Sequence, residues 1–283
     1  MQRSRWPRPR TVLVALLGYL ALTWGLFLLV DVFHLFEVRW RPEPDVLPLF
    51  YELYAEGRLT EWLQWGTLGV AAVACGHLAG ILRERDRTLP DASTRGAAAF
   101  WALLGIALAL MLVEDAGDPR HQLSRYALVL VDDPQPARSI VELVYYTLLA
   151  AIPVYALLRH GRHVWHHRPT RWLLLIGFAA YGVAAFASAS RRLGMWYATA
   201  GDWIHTHVFG DRIMAMPAGM HNTGLENPTG YMLMDVLWEE STELVGAAML
   251  LAAALAYLWH VHGRSPAPPA GGARTAAEVA GRG

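Results

Sequence analysis

The chain has 283 residues, 54% of them apolar and only 17% charged, whereas a soluble domain carries about 25% charged residues. Its 24 acidic residues balance 24 basic ones, all of them arginine, so no clustered positive charge is on offer to grip nucleic acid and no such partner is expected. The single cysteine, Cys75, excludes an intrachain disulfide framework and a cysteine-based zinc site.

Six long apolar runs follow one another, at about 11–30, 62–82, 97–113, 140–158, 172–187 and 236–259. Each is close to the ~20 residues that a helix needs to cross ~30 Å of hydrocarbon. None alternates in polarity as a spanning strand would, and lipid forces each backbone group to find its partner within its own segment. The first run follows "MQRSRWPRPR" but is too long for a signal-peptide core and lacks a small-residue cleavage site, which predicts a retained helix. The expected fold class is all-α: a polytopic membrane protein with a bundle of six transmembrane helices over residues 1–262. A disordered cytoplasmic tail is expected over 263–283, where Pro, Ala and Gly dominate.

Arginines set the expected orientation. Four precede the first run (Arg3, Arg5, Arg8, Arg10), four lie in "RERDRTLPDASTR" and four in "RHGRHVWHHRPTR". By the positive-inside rule these segments are cytoplasmic, giving N-in/C-in in the cytoplasmic (plasma) membrane. His163, His166 and His167 then belong to a solvated basic loop. The longest polar stretch, 190–235, becomes an extracytoplasmic loop.

With that topology, the helix-end carboxylates gather on the outer side. Asp31 closes the first helix, Glu61 opens the second, and Glu114 and Asp115 close the third. Glu142 opens the fourth, and Glu239, Glu240 and Glu243 open the sixth within "WEESTEL". The apolar run from Leu244 to Trp259 is only 16 residues, about 24 Å of helix, which draws these carboxylates into the edge of the hydrocarbon layer. A charge there is disfavoured facing lipid, so the inward face is expected. Asp235, Glu239 and Glu243 share a face at i, i+4 and i+8, and Glu142 pairs with Tyr146 at i, i+4. Glu114, Asp118 and His121 have similar spacing, though Gly117 and Pro119 predict that the helix stops first.

The expectation is an outward-facing acidic pocket. Its candidate catalytic residues are Glu239, Glu240, Glu243, Glu114 and Glu142, acting as general acid or base. No cofactor is identified; a divalent metal would draw on Glu240, Glu243, Asp115, His121 and His221, since carboxylate with imidazole suits iron, manganese or zinc. Arg191, Arg192 and Tyr146 are candidate substrate contacts, the arginines either pairing with the carboxylates or holding an anionic head group. His205, His207, Met214, Met216 and Met220 read as packing rather than as a copper(I) set. No nucleophile elbow, Walker A loop or dinucleotide fingerprint occurs.

Three functions fit this pattern. One is an enzyme acting on a lipid or isoprenoid-like substrate at the outer leaflet by metal or carboxylate chemistry. Another is a non-catalytic subunit or scaffold whose carboxylates pair with arginines of another membrane subunit. The third is a proton- or cation-coupled transporter, which the lack of a midplane charge and of repeated halves disfavours. The bilayer is the expected partner in each.

Overall fold

A computed structural model describes residues 6–35, 47–119, 122–123, 126, 134–191, 195–213, 215–217 and 225–263. The structure is 84% helical, with no strand among the described residues. In chain order the helices are α1 (Pro9–Phe27), α2 (Leu49–Tyr54), α3 (Leu59–Thr88), α4 (Ala92–Gly117) and α5 (Pro134–His160). They continue with α6 (Arg168–Ser190), α7 (Trp196–His207), α8 (Thr229–Met232) and α9 (Glu239–Gly263). Two π-helical segments extend them: Leu28–Val32 prolongs α1, and Leu233–Trp238 joins α8 to α9.

Among the described residues, six stretches are long and apolar enough to cross a bilayer, namely Pro9–Val32, Leu49–Thr88, Ala92–Gly117, Ile140–His163, Arg168–Ser190 and Thr229–Gly263. The protein is a multi-pass, all-α membrane protein. Its outer surface agrees: Leu158 is 82% exposed and Phe186 72%, an arrangement that water penalises and lipid does not.

Local chemistry sets the helix ends. Pro9 and Pro169 stand in the first turns of α1 and α6, where a missing N–H costs nothing. Asp91 caps α4 by accepting from the Thr94 N–H at 2.9 Å. At the other end of α4, Asp118 adopts the left-handed region (φ 48°), and the helix stops at Gly117.

Helix α9 is the centre of the bundle. Its span is 78% buried, against 11–44% for the other five, and it packs on α6, α3 and α1, while α3 and α4 form the closest pair. Small residues permit this closeness, as is usual where no hydrophobic force drives helices together in lipid. A Cβ on Gly246 would lie 2.6 Å from Tyr181 Cδ2, and one on Gly177 2.8 Å from Leu250. Across the α3–α4 interface, a Cβ on Gly105 would meet the Ala72 carbonyl oxygen at 3.2 Å. By contrast, α5 packs firmly on α4 and only sparingly on α6.

The two ends of the bundle differ. At one end, α2, α7, α8 and both π segments enclose a second core that includes Phe27, Phe50, Tyr54, Tyr197, Met232 and Leu237. The 190–235 segment, expected as a polar loop, thus contributes a helix and several core residues. Gly201 and Gly230 make this possible, because a Cβ on Gly201 would overlap the Gly230 carbonyl oxygen at 1.8 Å. Asp31 is structural here: its two oxygens accept the N–H groups of Leu49 and Phe50, each at 2.8 Å. At the other end, the histidine loop is packed rather than solvated, and only His166 of the three is exposed. The His167 ring stands 4.2 Å from that of His260, its Nδ1 lies 2.7 Å from Thr170 Oγ1, and Val164 between them is fully buried. The tail beyond Gly263 lies outside the described residues.

Candidate functional site: an acidic cavity with an apolar shaft

A cavity of about 420 Å³ runs between α3, α4, α5, α6 and α9, within the ~300–1,000 Å³ usual for small-molecule sites. Its walls are helical stripes. On α4 they include Leu104, Leu108, Met111 and Asp115, with Asp118 just past its end, and on α5 Tyr146, Leu149, Pro153, Val154 and Leu157. On α6 the stripe is Phe178, Tyr181, Gly182 and Ala185. These i, i+3/i+4, i+7 spacings put one face of each helix on the void. Carboxylates crowd the end nearest the α2/α7/α8 cap, and Leu, Val, Phe and Pro line the rest.

The π segment feeds this acidic end. An α-helix advances ~100° per residue, so Glu239, Glu240 and Glu243 fan across roughly one flank of α9, and the wider π turn before them brings Asp235 in beside them. All four line the cavity, with Glu61, Glu114 and Asp115 facing them from α3 and α4. π-Helical turns recur at functional sites, where they re-aim side chains.

Most of these carboxylates are held in place. Arg191 Nη1 donates to Asp235 Oδ1 at 2.5 Å, with both side chains largely buried. Burial works against the Arg191 charge, but Asp235, Tyr231, Glu239 and Tyr146 together outweigh it, leaving the guanidinium pKa well above its ordinary value. Tyr197 donates its hydroxyl to Glu239 Oε2 at 2.6 Å; burial, then the Glu239 charge, push the phenol pKa upward. The Gln64 amide Nε2 donates to both Asp115 Oδ2 (2.7 Å) and Glu243 Oε2 (2.6 Å), and Gln64 is wholly buried. Glu61 accepts the Gly57 N–H, and Tyr146 donates to Ser188 Oγ at 3.1 Å.

Glu240 and Tyr181 differ from these held groups. Glu240 Oε2 and the Tyr181 hydroxyl are closed off from solvent and have no hydrogen-bond partner within the protein. A buried polar atom left unsatisfied costs about 1–3 kcal/mol, so such atoms in a ready-made void are candidate ligand contacts.

Of the residues expected from sequence, Glu239, Glu240, Glu243, Glu114, Asp115, Tyr146 and Arg191 border the one cavity. Glu142 is buried (1% exposed) but does not line it. His121, Arg192 and His221 lie outside the described residues. Among the described residues, no group of three or more His, Cys, Asp or Glu side chains is arranged to hold a metal ion. Gln64 supplies a reason, because its amide nitrogen takes the place between Asp115 and Glu243 that a cation would occupy. In the α7 region, His205 Nε2 lies 3.2 Å from the Ile213 carbonyl, and His207 stacks on Trp203; both therefore serve packing.

Sequence reasoning missed Gln64, Tyr181 and Tyr197. Gln64 carried a signal as an amide one turn after Glu61 inside an apolar run; nothing in the sequence singles out the two tyrosines. No protein family, no curated protein and no solved structure matches this chain.

Proposed function

We propose that the protein is a membrane-embedded enzyme that takes a lipid-class molecule into the cavity and transforms it by carboxylate acid–base chemistry at the acidic end. In this reading that end faces the extracytoplasmic side. Glu240 carries the proton, the Tyr181 hydroxyl shares the substrate contact, and Glu239 and Glu243 are fixed in position by Tyr197 and Gln64. The Arg191–Asp235 pair closes the cavity floor beneath the cap.

The observation that supports this reading is that Glu240 Oε2 and the Tyr181 hydroxyl, on two residues that line the acidic end of the cavity, have no hydrogen-bond partner within the protein, while the rest of the shaft is apolar. A scaffold has no need of an unfilled cavity with unsatisfied polar atoms. A general acid or base, by contrast, needs a carboxyl that no internal partner has already engaged, within reach of the bond to be changed. The apolar shaft accommodates the hydrocarbon chain without a penalty, because the chain exchanges one apolar surrounding for another, and selectivity is left to the polar groups at the acidic end.

The test is turnover. The purified protein in nanodiscs is incubated with a membrane lipid extract, and new species are followed by mass spectrometry. The wild type is expected to convert one lipid class, and Glu240→Gln to lose about 10²–10⁴-fold of that rate while keeping its thermal transition. A wild type that converts nothing, or a Glu240→Gln variant that works normally, would refute the assignment.

A further inference from the structure

The cavity has a side door. Helix α5 packs on α4 but only sparingly on α6, and three lining residues on the facing flanks of α5 and α6 are also exposed on the bundle surface. They are Ala150, Val154 (50% exposed) and Gly182. A Cβ on Gly182 would meet nothing within 4 Å. Around them stand side chains that only lipid would welcome, such as Leu148, Val183 and Phe186. Ala150 and Gly182 lie 13 and 14 residues from His163 and Arg168, where the two spans end toward the histidine loop. At ~1.5 Å per residue this is about 20 Å, inside the hydrocarbon layer. Pro153, which lines the cavity, has no N–H to close the helical bond to the Leu149 carbonyl, so α5 is weakened beside the gap.

The head-group end has a definite charge. Glu61, Glu114, Asp115, Glu240 and Glu243 face the void, whereas Arg191, the only basic lining residue among the described residues, is already bound to Asp235. An anionic head would be repelled there. An ammonium would instead supply N–H donors to acceptors that have none: Glu240 Oε2 and the Tyr181 oxygen.

We propose that the cavity is loaded sideways from the bilayer, through the α5–α6 seam, by a single-chain amphiphile with a cationic amine head. The head sits between Glu240 and Tyr181, the first part of the chain fills the shaft past Leu108 and Phe178, and the remainder leaves between Val154 and Gly182. This deepens the reading of the cavity as a lipid site and rests on it.

Photo-crosslinking of the whole chain in phosphatidylcholine nanodiscs tests it. The probes are a long-chain primary amine and the fatty acid of equal length, each with a diazirine in the chain, at the same mole fraction. The amine is expected to label α5 and α6 cavity peptides about tenfold more than the acid, the preference that one charge-assisted hydrogen bond provides. In the Glu240→Gln/Glu243→Gln double variant that preference should vanish. Gly182→Trp, and independently Ala150→Phe on the facing helix, should cut amine labelling severalfold, whereas Val144→Trp on the lipid-facing side of α5 should not. Equal or stronger labelling by the acid overturns the cationic head group. Undiminished labelling in folded Gly182→Trp and Ala150→Phe overturns lateral loading. If neither probe labels the cavity, the lipid-site reading itself falls; labelling by the amine without any turnover would sink only the catalytic role.

Discussion

The two ends of the bundle carry similar amounts of polar chemistry and use it differently. At the histidine end, Arg85 donates to the Val261 carbonyl at 2.7 Å, Arg95 pairs with Asp86 at 3.0 Å, His167 meets Thr170, and Asp91 caps α4. Those groups bond one another, some of them at the exposed surface, and none of them lines the cavity. At the acidic end, the held carboxylates surround an open cavity in which Glu240 and Tyr181 remain unengaged. Charge at a helix end therefore does not by itself mark a site. The mark is charge that the fold holds in place around a space the fold leaves empty.

Substitutions can break that contrast, and the largest effect is expected at Glu240. Glu240→Gln should cost about 10²–10⁴-fold in turnover with little change in melting. Replacing Arg85, which is equally close to a helix end, by Gln should do the reverse. Gly246→Leu comes next. Its side chain must displace Tyr181, so both the cavity and the α6–α9 packing suffer, by about 1–3 kcal/mol from overpacking, read as a lower melting temperature in detergent.

Smaller effects separate held carboxylates from free ones. Tyr197→Phe removes the hydroxyl that donates to Glu239 Oε2 and should destabilise by about 1–3 kcal/mol, the usual cost of leaving a buried acceptor unsatisfied. Gln64→Leu should act similarly by releasing Asp115 and Glu243 together. If Gln64→Leu also creates metal binding, measured by elemental analysis, the amide is confirmed as the group that keeps a cation out.

The smallest effect belongs to the histidine end. The Thr94 backbone and hydroxyl bonds hold the Asp91 carboxyl below its usual pKa. A depressed carboxylate pKa stabilises the fold above the unfolded value and loses that contribution as pH falls through the folded value. The difference in melting temperature between wild type and Asp91→Ala should therefore be present at neutral pH and fade below about pH 4.

Much of this was legible in the residues themselves. The six spans could be read because apolar runs of ~20 residues have few other destinations. The acidic cluster was legible because "WEESTEL" opens a run too short to leave its carboxylates in water. What stayed hidden depended on tertiary approach. Glu142 was expected to open its helix as Glu239 does, yet α5 begins at Pro134 and the cavity wall starts one turn further on, at Tyr146, a difference of position along the helix axis that no spacing reveals. Gln64 gains meaning only where α3, α4 and α9 bring it between two carboxylates. The cap was hidden because its packing turns on the backbone contact of Gly201 with Gly230, and glycine pairs far apart in sequence announce no partner.

The central claim is that the cavity holds a lipid-class ligand. Native mass spectrometry of the protein released from nanodiscs into mild detergent tests it most directly, comparing wild type with Gly182→Trp. The account predicts one tightly retained lipid-class molecule on the wild type and its loss from the filled cavity. The same retained species on both proteins, or none on either, would contradict it.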